Sequence, residues 1–105
     1  MGLFSKAGNK DEGENIVVCA DVLDIAHATE FHQALKNALG KGGVVVLDGA
    51  GIERIDAAAL QLCVAFFHEA MARKVQAKWL TPSEPLIRAA GLLGLKDQLG
   101  LPGGN

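Results

Sequence analysis

Tyrosine is missing from this 105-residue chain, tryptophan occurs once, and aromatic residues make up only 5% of it. A core must therefore be assembled from Ala, Val, Leu and Ile, whose small volumes suit close packing of helices on a sheet. Positive charge is not concentrated anywhere. Ten Lys and Arg against twelve Asp and Glu leave a formal charge of −2, and no basic cluster is interleaved with aromatics. That excludes the dense phosphate-neutralising face on which nucleic-acid binding depends. No apolar run approaches the roughly 20 residues needed to cross a bilayer, so direct membrane insertion is not expected. Residues 1–14 are polar and Gly-rich, without an apolar segment or cleavage site, and the expected location is the cytoplasm. Met1 to Ser5 looks like the start of a myristoylation signal, but Lys6 stands where Ser or Thr is needed.

Cysteine is scarce too. Cys19 and Cys63 lie inside apolar segments with no metal-ligand spacing and read as buried, reduced thiols. No two of His27, His32 and His68 lie three or four residues apart, so no metal site is expected. Cys63 and His68 are also five apart, and on a helix such side chains diverge, which removes the obvious nucleophile–base pair. Gly49-Ala50-Gly51 lacks the Lys-Ser/Thr ending of a phosphate loop. No cofactor and no catalysis are expected.

What is present is one domain's worth of alternating elements, with half of the residues hydrophobic. Ile16 to Ala20 begins a strand that is expected to run on, past a kink near Asp21, toward Leu23 and Ile25. Thr29 is positioned to cap a helix over about 30–39, with Phe31, Leu35, Ala38 and Leu39 on one face and Gly40 stopping it. Val44 to Asp48 is an unbroken branched run, the pattern of a strand buried on both faces. A loop over 49–55 follows. Asp56 can cap a long apolar helix over about 57–74, with Leu60, Val64, Phe67 and Met71 along one stripe. Gln76 to Leu80 reads as a third strand, with Trp79 as half-buried core or an interface anchor. Thr81 or Ser83 can cap a further helix through Ala90, broken at Gly91 to Gly94, and 95–99 forms a last short helix. This alternation predicts an α/β fold: a small mixed or parallel sheet flanked by a single layer of helices, its strands joined by right-handed crossovers. The domain should occupy residues 15–101, after a disordered leader over 1–14 and before a tail over 102–105.

The segment Val44-Val45-Val46-Leu47-Asp48, followed by Ile55-Asp56-Ala57-Ala58-Ala59-Leu60, resembles the signature of STAS domains. In that family a buried strand ends in a loop that runs into Asp-Ser-Ser-Gly-Leu or Asp-Thr-Ala-Gly-Leu at a helix start. Asp56 and Leu60 match, and Leu92-Leu93-Gly94-Leu95 and Leu23-Asp24-Ile25 resemble further elements, so the likeness extends from about Ile16 to Leu99. It implies a module that binds other proteins, as in anti-sigma factor antagonists. It equally covers cytoplasmic accessory subunits of ABC transporters of the lipid-asymmetry type and scaffolds of chemotaxis clusters. Partners would accordingly be an anti-sigma factor or kinase-like protein, a transporter ATPase or a chemotaxis protein. In the antagonist group a partner kinase phosphorylates the second hydroxyl residue of the motif, the position that Ala58 occupies here. Ala57, Ala58 and Ala59 offer no oxygen, so the resemblance implies partner binding without the usual phosphorylation.

Asp48, Gly51, Glu53, Arg54, Asp56, Ala57, Ala58 and Gln61 are the candidate partner-binding residues. They sit at the C-terminal end of a parallel-type strand, where α/β folds usually bind their ligands. Asp56 has a second reading as a plain helix cap, Asp48 as an acceptor that orients the loop, and Glu53 with Arg54 as an ordinary solvated pair.

Overall fold

The computed structural model describes residues 14–101. Of the expected leader only Glu14 falls among them, and the expected tail lies outside them. In chain order the elements are β1 (Glu14–Val18), β2 (Val22–Leu23), a 3₁₀ turn (Ile25–His27), α1 (Ala28–Lys41), β3 (Val44–Asp48), β4 (Arg54–Ile55), α2 (Ala57–Ala72), β5 (Gln76–Leu80), α3 (Glu84–Leu92) and α4 (Lys96–Leu99).

The main sheet has the order β1–β3–β5, and both pairings are parallel. The branched run at 44–48 takes the central place, as its composition requires. Val45 and Leu47 are fully buried under the helices, and Val46, which points to the opposite face, is only 4% exposed. Val17 and Cys19 of the β1 segment join the same core as Phe31, Leu35, Ala38 and Leu39 of α1 and Leu60, Cys63 and Phe66 of α2. α1 packs on β1 and α2, while α2 also meets β5 and α4, so the helices form one layer over one side of the sheet.

Several local boundaries differ from the sequence-based expectation. The first strand does not run on to Ile25. It ends at Val18, and Val22–Leu23 instead pairs in parallel with Arg54–Ile55 as a separate two-stranded sheet inside what reads as loop. Two-residue strands are too short to carry a period-2 pattern. Thr29 caps nothing: Asp24 accepts from the His27 N–H and starts the 3₁₀ turn, which flows into α1 at Ala28. α1 passes through Gly40 to Lys41 and is ended by Gly42, whose φ of 72° suits glycine. α2 stops at Ala72, and Lys74 adopts φ 60°, letting the Val75 N–H reach the Ala70 carbonyl in a Schellman closure. Ser83, not Thr81, caps α3, accepting from the Leu86 N–H at 3.2 Å, and α3 runs through Gly91 to Leu92.

The buried stripe of α2 is also rotated from the expected one. Ala59, Leu60, Cys63, Val64, Phe66 and Ala70 are buried, whereas Phe67 is half-buried and Met71 is 76% exposed. A helix that is apolar around most of its circumference does not reveal which side meets the sheet.

Candidate functional site

The loop leaving β3 is held by its own backbone before any side chain acts. The Gly49 N–H donates to the Leu80 carbonyl, and the Gly49 carbonyl accepts from both Ile52 and Ser83 N–H groups. A Cβ at Gly49 would stand 3.1 Å from the Trp79 ring, so a side chain there would press on the indole at the close approach of loop and strand. Asp48 accepts from the Ala50 N–H at 3.1 Å, which is the loop-orienting role open to it in the sequence. Ile52 then turns inward and is 1% exposed, pinning the loop to the core. Beyond it the Glu53 and Arg54 N–H groups both donate to the Asp21 carbonyl, at 2.7 and 3.0 Å.

Asp56 uses both carboxylate oxygens. Oδ1 accepts from the Ala59 N–H at the start of α2, and Oδ2 accepts from the Ile25 N–H across the chain, each at 3.0 Å. Its own N–H donates to the Leu23 carbonyl. One residue thus caps α2 and ties that helix to the β2–α1 junction. Asp56→Ala removes both side-chain bonds and should cost about 1–2 kcal/mol. Urea unfolding checks this, and a midpoint equal to wild type would show that water replaces both bonds without loss.

Of the residues singled out in the sequence, Gly51, Glu53, Arg54, Ala57 and Gln61 are exposed, and Asp48, Asp56 and Ala58 are partly so. Arg54 and Asp56 line a shallow cleft of about 420 Å³ together with Glu53, and the cleft's other wall is α3, through Arg88 and Leu92. Asp48 is directed into the loop and not into this cleft. Sequence reasoning missed three neighbours. Ile25 reads as a strand residue but is 75% exposed beside Asp56, and Leu92 is 82% exposed. Arg88 comes from an element far along the chain. An exposed leucine at a helix end gives no sequence signal distinct from a core leucine.

Asp24, also lining the cleft, accepts from His27 Nδ1–H at 2.7 Å, and that bond holds its carboxyl below the ordinary value of 3.8. The native chain therefore favours the carboxylate more than the unfolded chain does. The associated stability is complete above the unfolded value and is lost as pH falls through the lower native one. Asp24→Asn should flatten the acid limb of the pH–stability curve in that window. An unchanged limb would show that the contact contributes nothing.

Burial disfavours the thiolate form of both cysteines. Burial pushes Cys19 up to about 12, with the nearby Asp48 charge adding to it, and burial raises Cys63 as well. Among the described residues there is no cluster of His, Cys, Asp and Glu that could hold a metal ion, and no helix is long and apolar enough to cross a membrane.

A three-stranded parallel sheet under a helix layer carries a pinned loop that runs into a capped helix. Residues 9–101 match the family model described as Mlab, STAS domain, and the chain belongs to the STAS domain family. No curated protein matches the chain by sequence. Among solved structures, it is similar to an anti-sigma factor antagonist from Mycobacterium paratuberculosis, with a TM-score of 0.75, 17% identity and coverage of 94% of this chain and 83% of that one. The anti-sigma factor antagonist SpoIIAA in its unphosphorylated form aligns with a TM-score of 0.71 at 14% identity, covering 90% of this chain and 84% of that one. The phosphorylated form of the Bacillus cell fate determinant SpoIIAA gives 0.69 at 14% identity, covering 90% and 86%. The fold is that of the anti-sigma factor antagonists.

Proposed function

We propose that this chain is a non-catalytic cytoplasmic module that binds a regulatory protein through the 48–60 surface, without phosphorylation at the usual position. The observation that carries the reading is the way the surface is built. Ile52 and Asp56 anchor it, while Gly51, Glu53, Arg54, Ala57 and Gln61 are exposed and Ala58 is partly so. A rigid, pre-positioned patch loses little conformational entropy when a partner docks. Exposed Ile25 and Leu92 flank it and supply apolar contact area. Ala58 at the second position of α2 carries no oxygen, so neither addition nor removal of a phosphoryl group can gate binding there.

A second reading, an accessory subunit of a membrane transporter, is favoured by a different observation. The sequence matches the Mlab family model, whereas the likeness to antagonists is one of fold at 14–18% identity. Both readings use the same surface. Tagged wild-type chain and an Ala58→Asp variant, used in parallel to capture partners from host lysate, separate them by mass spectrometry. A kinase-like or sigma-regulating protein captured by wild type and lost by the variant supports the first reading. A transporter ATPase with the same behaviour replaces it. Capture indifferent to the variant moves the interface elsewhere.

A further inference from the structure

The far edge of the main sheet differs from the rest of the molecule. β5 pairs with β3 on one side, and along its other side no strand lies among the described residues. A groove of about 520 Å³ runs beside that edge, lined by Phe67, Met71, Ala77, Trp79, Asp97 and Leu99. Ala77 and Trp79 share a face with Val45 and Leu47, their register partners on β3. Val45 and Leu47 are fully buried, whereas Ala77 and Trp79 are only half-buried: among the described residues no strand stands beyond β5, and α4 reaches Trp79 where the Leu99 carbonyl accepts from its indole N–H at 2.9 Å. Met71, the α2 residue whose exposure the sequence does not foretell, lines the same groove.

We propose that this edge receives an extended segment of a partner protein, added as a further strand beside β5. The segment would carry apolar side chains at every second position and a carboxylate between them, next to Lys78. Three features select this occupant. A strand edge offers a row of main-chain donors and acceptors that only another extended backbone can satisfy along its length. Every second side chain of such a strand enters the groove against Phe67, Met71 and Trp79, while the alternate ones fall on the face of Gln76, Lys78 and Leu80. On that face Lys78 is exposed and forms no ion pair among the described residues, so a carboxylate at cross-strand distance is favoured. A second copy of the chain fits less well. Two β5 edges paired about a centred two-fold axis would set Lys78 against Lys78. The groove is walled by the C-terminal half of α2, a helix about 24 Å long at 1.5 Å per residue, whereas Asp56 caps the other end of that helix; the edge and the 48–60 loop adjoin at one point, where the Gly49 N–H donates to the Leu80 carbonyl.

The test titrates a blocked peptide of alternating Val and Glu into the full chain. It is followed by amide shifts and by the fluorescence of Trp79, the sole tryptophan. Binding should shift the Gln76–Leu80 amides and move Trp79 emission to shorter wavelength. Methylating the peptide's backbone nitrogens should weaken binding at least about tenfold through loss of the main-chain donors. Lys78→Glu should weaken it about threefold. Absence of binding, equal affinity for the methylated peptide, or shifts confined to the Asp56 end of α2 would each overturn the proposal. So would sedimentation showing that the chain alone dimerises with the β5 amides protected.

Discussion

Replacing Ile52 by Ala should lower the free energy of unfolding by about 2–5 kcal/mol, the usual cost of emptying a fully buried aliphatic site. Partner capture should weaken at the same time, although the side chain, 1% exposed, can touch no partner. Ile52 is the buried residue of the 49–53 loop segment beyond Gly49, and its N–H closes back on the Gly49 carbonyl at 3.3 Å. Without the isoleucine the loop keeps its backbone bonds to Asp21 but loses its plug in the core. Glu53 and Arg54 then sample more positions, and a partner must order them on docking. Urea unfolding gives the first quantity and a binding titration the second. A loss of stability below about 1 kcal/mol would show that the loop is held by its hydrogen bonds alone. A large loss with unchanged affinity would separate the loop from the interface.

Ala58→Asp should weaken partner binding by about tenfold or more, or about 1.4 kcal/mol, while leaving the unfolding midpoint nearly where it is. Ala58 lies in the first turn of α2, where a carboxylate is favoured by the helix dipole, so the fold has no reason to suffer. It is partly exposed beside exposed Ala57 and Gln61, so a charge placed there meets any partner that covers the helix start and must be desolvated or repelled. Ala58→Ser is the matched control, because it restores a hydroxyl without a charge and should bind as wild type does. If Ala58→Asp binds normally, the 57–61 turn is outside the interface. If it unfolds the chain, the residue is packed more tightly than its exposure indicates.

Much of the architecture was legible because it rests on patterns that survive in short windows. The branched run at 44–48 announced the central strand, the i, i+4, i+7, i+8 spacing of Phe31, Leu35, Ala38 and Leu39 announced the buried face of α1, and Asp56 announced the start of α2. Several of the misses have a deciding partner that is distant in sequence. The start of α1 is an exception, because Asp24 begins its turn locally by accepting from the His27 N–H, and the bond from the Ile25 N–H to Asp56 then ties that start to α2. The pairing of Val22–Leu23 with Arg54–Ile55 depends on Asp21 receiving two N–H groups from a loop thirty residues on. The side of α2 that faces the sheet is chosen by what the sheet offers, and Met71 falls outside it for that reason alone. At the candidate site, the loop and helix start followed from the motif, whereas the α3 wall with Arg88 and Leu92 came only from the fold.

The register of the main sheet has a consequence for how the molecule is made. Among the described residues Glu14 to Val18 pairs with 44–48, and 44–48 pairs in turn with 76–80, so each of these pairings joins strands far apart in the chain. A nascent chain emerging in order would display β1 and then β3 with their apolar faces uncovered until β5 had been synthesised. Assembly should therefore be governed by closing long loops, which makes it slower than for a helical bundle of equal length. A fragment ending before Gln76 should remain unfolded instead of forming half a domain, which leaves residues 76–80 as the segment whose arrival commits the chain to its fold.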